Sequence, residues 1–183
     1  ARFGMAETTR SDELPPTETK YAEVAQKLVE LRNDWKIPTK GDAPKPYLEV
    51  RPVLTWKASI VLVKDVSRGS PIGYGAMYWA QRDMRVAVLG LGYADGLPHR
   101  LSNKGRVIAG GKPAPILGAV SMDLTTIDIT HVPNLKVGDA VTIIGSDGET
   151  SQDARHVARM AGTITYSLLC GISARVRRVY PGS

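Results

Sequence analysis

From residue 47 onward the apolar residues come in short runs, each closed by Gly, Pro, Asn or Asp: Val53-Leu54, Ile60 to Val63, Ile72 to Tyr78, Val86 to Leu91, Val107-Ile108, Ile116-Leu117, Thr126 to Ile129 and Val141 to Ile144. Such runs are too short for helices with a buried face, and their turn residues recur at the spacing of strand ends. The pattern predicts a mainly β domain, an antiparallel barrel or sandwich.

Two other patterns flank it. Residues 17–32 carry Tyr21, Val24, Leu28 and Leu31 at three- and four-residue spacing, which predicts an amphipathic helix. A stretch from Lys36 to Pro46 follows, with Pro38, Gly41, Pro44 and Pro46, and reads as a junction, so a boundary is expected between 1–46 and 47–183. Ser151 to Met160 is expected as a short helix capped by Ser151 and stopped at Gly162. Arg175 to Tyr180 alternates like a last strand, with Arg175 and Arg177 on one face.

The net charge of +6 admits a nucleic-acid reading, in which Arg100, Lys104, Arg106, Arg175, Arg177 and Arg178 would contact phosphates. One Phe and scattered Tyr and Trp give little for bases to stack on, so a solvated basic surface or an anionic small substrate is the better use of that charge. No run approaches the roughly 18 apolar residues of a membrane span, and the first residues lack the apolar core of a signal peptide. Cys170 is the single cysteine, which excludes an internal disulfide, suits a reducing cytoplasm and reads as a small buried residue. His99, His131 and His156 have no metal-ligand spacing, and no metal is expected.

Four blocks then occur in order: Gly92-Tyr93-Ala94-Asp95-Gly96; Ala114-Pro115-Ile116-Leu117-Gly118 leading to Ser121-Met122-Asp123; Val137-Gly138-Asp139; and Thr163-Ile164-Thr165-Tyr166 leading to Cys170-Gly171-Ile172-Ser173. Together they closely resemble the C-terminal β-domain of alanine racemases, over about residues 47–181. The resemblance implies an isomerase that interconverts L- and D-alanine for peptidoglycan, acts as a homodimer and uses pyridoxal phosphate held on a lysine of an N-terminal (β/α)8 barrel. Such a barrel alone takes about 250 residues, and its lysine-alanine-asparagine-alanine-tyrosine-glycine segment does not occur here, where Lys57-Ala58 is the single Lys-Ala pair. Residues 1–46 are therefore expected to be a helical remnant of that barrel, and the chain alone is expected to bind no cofactor and to be inactive.

The same resemblance assigns roles. Tyr93 matches the tyrosine that serves as base for the L-enantiomer, on the cofactor of the partner subunit. A free phenol, with a pKa of about 10, is ionised to about one part in a thousand at pH 7, so such a base needs cations beside it. Met122 matches the residue whose main-chain N–H donates to the substrate carboxylate, and Tyr166 the tyrosine that hydrogen-bonds the cofactor phosphate. Ile164 and Asp123 line the access corridor. Arg2, in Arg2-Phe3-Gly4-Met5, matches the end of a barrel strand whose arginine contacts the substrate carboxylate. Ala119 departs from the family, where many relatives carry arginine at that point. Without the resemblance Tyr93 reads as a structural tyrosine, and the chain as a free-standing β-barrel binding module for nucleic acid or a protein partner.

Overall fold

Along Trp56-Lys57-Ala58-Ser59-Ile60 every second side chain is buried, as a pleated strand with one face on a core requires. These residues open β1 (Trp56–Val66). The computed structural model describes residues 52–180, so the helix expected over 17–32, the junction up to Pro46 and Arg2 lie outside the described residues.

After β1 come β2 (Pro71–Ile72), β3 (Tyr78–Trp79), β4 (Met84–Leu89), β5 (Arg106–Ala109), β6 (Lys112–Leu117), β7 (Thr125–Asp128), β8 (Ala140–Asp147) and β9 (Thr150–Gln152). Two short helices follow, α1 (Ala154–Met160) and α2 (Thr165–Gly171). The main sheet is antiparallel, in the order β1-β4-β7-β6-β5-β8-β9. β1 belongs to it twice: Trp56 to Ser59 pair with β8, and Ile60 to Val66 with β4, with register shifts at Trp56/Lys57 and Ile60/Leu62. The ladder therefore returns to the strand from which it starts. β2 and β3 form a separate pair.

The apolar runs read from the sequence supply the core. Ile60, Leu89, Val107, Ile116, Ile127, Val141 and Ile143 are buried together, with Val157 and Ala158 of α1 and Leu168 of α2 packed into the same cluster. A smaller cluster joins Ile72 and Ala80 to Val66, Met84, Val86 and Leu117.

Four local expectations need correction. Val53-Leu54 is exposed and forms no strand. The run from Ile72 to Tyr78 is broken by a 3-10 turn at Tyr74–Ala76, because Gly73 and Gly75 take φ of 77° and 66°, outside any extended conformation. α1 begins later than expected: Asp153 caps it, accepting from the His156 N–H at 2.7 Å, while Ser151 belongs to β9. The segment after Arg175 forms no strand: it starts in a turn in which the Val176 N–H donates to the Ser173 carbonyl, Arg175 reaches Asp123, and Arg178 reaches the Ile172 carbonyl.

Candidate active site

β4 ends at Leu89, and the chain turns at Gly92 into a 3-10 turn, Tyr93–Asp95, closed by Gly96 at φ 106°. Several hydrogen bonds fix that turn, three of them decisive for the site. The Asp95 carboxylate accepts from the Gly92 N–H at 2.9 Å, the Tyr93 N–H donates to the Ser121 carbonyl at 2.9 Å, and the Ala94 N–H donates to the Met122 carbonyl at 3.0 Å. With its backbone held on both sides, the Tyr93 side chain stands 46% exposed. Its ring meets the His99 ring edge-on, with centroids 6.3 Å apart.

The segment that holds the turn is itself tight. Ser121 and Leu124 exchange hydrogen bonds through the Ser121 hydroxyl and both main chains, which leaves Met122 and Asp123 at the tip, exposed. The Met122 N–H makes no hydrogen bond with any described residue. Glycine at 92 is a steric necessity, since a Cβ there would overlap the Met122 carbonyl group.

Arg175 joins the two segments. Its guanidinium lies 2.6 Å from an Asp123 oxygen and 3.3 Å from an Asp95 oxygen. The hydrogen bond Arg175 donates to Asp123 and the charge of Asp95 raise the arginine's hold on its proton above the usual range. The Ser173 N–H adds a bond to the Asp95 carbonyl at 3.1 Å, so the end of α2 is anchored to the Tyr93 turn. Beside the turn lies an open groove of about 380 Å³, reached by Tyr93, His99, Arg100, Thr163 and Ser167.

Sequence and structure agree unevenly here. Tyr93, Met122 and Asp123 come together. Ile164 and Tyr166 sit at the other end of α2, where Ile164 is the N-cap and Tyr166 is 79% exposed, and no hydrogen bond or ring contact joins Tyr166 to Tyr93. Neither Tyr166 nor Cys170 is buried, because the run that contains them is a helix that buries Leu168 and turns both outward. Ala119 is buried. His156 accepts from Arg106 at 2.7 Å, and among the described residues no group of His, Cys, Asp and Glu could hold a metal ion. No helix among them is long and apolar enough to cross a membrane. Asp95 and Arg175 were not legible as site residues: the first reads as half of an Asp-Gly turn signal, the second as one of several basic residues.

Residues 53–180 match the sequence family described as "Alanine racemase, C-terminal domain". Among curated relatives, the alanine racemase of Methylacidiphilum infernorum is 44% identical over 142 residues, 76% of this chain and 37% of that protein. The alanine racemase of Halothermothrix orenii is 47% identical over 133 residues, 73% of this chain and 35% of that protein. The chain thus spans little more than a third of the length of these relatives. Among solved structures, alanine racemase from Bartonella henselae with covalently bound pyridoxal phosphate superposes with a TM-score of 0.68 at 32% identity, over 76% of this chain and 37% of that one. Alanine racemase from Streptomyces coelicolor A3(2) gives 0.69 at 34% identity, over 73% and 35%.

Proposed function

Because this chain belongs to the alanine racemase family through its C-terminal domain, we propose that it is the β-domain of a cytoplasmic, homodimeric alanine racemase that supplies D-alanine for peptidoglycan. In this reading residues 47–183 are the β-domain and 1–46 the remnant of a cofactor-binding barrel domain. The pairing order that returns to β1 supports reading the β-domain as a small closed barrel. The observation that carries the functional proposal is the Tyr93 turn, which is bonded to the Ser121-Met122 backbone and leaves the Tyr93 ring and the Met122 N–H both available.

The described residues fit one side of pyridoxal phosphate and not the other. Tyr166 offers an exposed hydroxyl suited to a phosphate oxygen. In this reading the lysine that anchors the aldehyde is none of the five described lysines, 57, 64, 104, 112 and 136, and belongs to the barrel domain. Bound there, the cofactor supplies the electron sink that lets an α-proton leave. This chain's residues do the rest of what a β-domain must do. The Tyr93 oxygen takes or returns the α-proton on one face of the substrate. The Met122 N–H donates to the substrate carboxylate and orients it, and His99 limits the swing of the tyrosine ring. In this reading Tyr93 acts on the partner's cofactor, while Tyr166 serves this chain's own.

A fusion tests the proposal: residues 53–180 replace the matching domain of the Halothermothrix orenii relative, which keeps its own lysine-bearing region. The fusion is expected to racemise alanine, and this chain alone to be inactive. A fusion that dimerises and holds the cofactor, yet racemises no faster than its Tyr93→Phe variant, would refute the assignment.

A further inference from the structure

Arg175 is half exposed and contributes nothing to the apolar core, yet among the described residues its side chain pairs with a carboxylate in each segment of the site. Asp123 follows Met122 directly, and Asp95 closes the Tyr93 turn from within, bonded to the Gly92 N–H. Left alone, the exposed Asp123 carboxylate would place a negative charge on the residue next to the N–H meant to receive a substrate carboxylate, with Asp95 adding a second in the facing turn. A like charge on the residue next to that N–H opposes the arrival of a carboxylate. The Arg175 fork meets one with Nη2 and the other with Nε, so a single cation cancels part of each charge and spans the gap between the segments.

Building on the racemase reading above, we infer that Arg175 is a positioning residue: by bridging Asp95 and Asp123 it locks the Tyr93 turn against the Met122 segment and clears negative charge from the path of the substrate carboxylate. It touches neither substrate nor cofactor and acts through the two aspartates. The inference separates two effects. Locking governs how well Tyr93 is aimed and shows in kcat. Charge cancellation governs how well the carboxylate is received and shows in KM.

The test has two arms. In the full chain, amide exchange followed by NMR should quicken about tenfold at Tyr93 and Ala94 in Arg175→Ala, with the amides of β4 and β7 unchanged and Arg175→Lys intermediate. In the racemase fusion, Arg175→Ala should raise KM for alanine about three- to tenfold and lower kcat. Adding Asp123→Asn to Arg175→Ala should bring KM most of the way back without recovering kcat, because it removes the charge and not the loss of the clamp. A merely structural role would not give that split. Unchanged exchange at Tyr93 and Ala94 would overturn the clamp, and a KM that does not move, or that Asp123→Asn does not rescue, would overturn the charge argument. A wild-type fusion without racemase activity would count against the proposed function instead, and the exchange arm would still decide the clamp.

Discussion

Gly92 and Met122 approach so closely that no side chain fits between them: a Cβ on Gly92 would overlap the Met122 carbonyl carbon and oxygen. Gly92 is in extended backbone, with φ −147°, so the requirement is for space and not for conformation. Gly92→Ala must therefore push the Met122 segment away from the Tyr93 turn. It is expected to destabilise the domain by about 1–3 kcal/mol, the usual range for overpacking, measured as a lower urea midpoint at unchanged slope.

Tyr93→Phe removes a hydroxyl from a half-exposed ring and leaves the ring's contact with His99. Stability should change by no more than about 0.5 kcal/mol. In the racemase fusion the rate should fall on the order of a hundred- to ten-thousand-fold, the range for loss of a general base. Exchange of the substrate α-proton with deuterated solvent should fall far more from the L-enantiomer than from the D-enantiomer.

Tyr166→Phe should leave the fold alone, since the side chain is almost wholly exposed. Its expected effect is on cofactor affinity in the fusion, a loss of about 1 kcal/mol for one hydrogen bond and more if the phosphate charge is engaged. Equilibrium dialysis of the cofactor against both proteins measures it.

Asp128 controls an acid response. Burial disfavours its charged form, but the Thr130 hydroxyl at 2.6 Å, the Thr130 N–H at 2.9 Å and Arg82 at 2.9 Å outweigh this and hold the carboxyl below its ordinary range. The folded state therefore binds fewer protons than the unfolded one in that window. The stability from these contacts is present above the ordinary carboxylate range, about pH 4, and is lost as pH falls through it toward the depressed folded value. Asp128→Asn should flatten this part of the acid limb in denaturant titrations run at successive pH values.

The β4, β5 and β8 strands were legible because each apolar run buries as a unit and ends at a turn residue. Tyr93, Met122 and Asp123 were legible through motif resemblance alone, since nothing in their local pattern says that residues some thirty positions apart share hydrogen bonds. Arg175 was misread as a strand residue because its partner Asp123 lies 52 positions away, and alternation with valine looks the same whether or not a ladder forms. Cys170 was misjudged for a related reason: an apolar run suggests burial, but the seven-residue helix that carries it buries only Leu168. The cap of α1 shifted by two residues because Ser151 and Asp153 are both good caps, and pairing of Thr150–Gln152 with β8 removes the first from the choice.

β1 gives its first residues to β8 and the rest to β4, so one continuous strand ties the two ends of the ladder together. Unfolding is expected to be all-or-none. Folding should be slow for the size, because Trp56 must find Ile144 across most of the described chain before β1 can pair with β8.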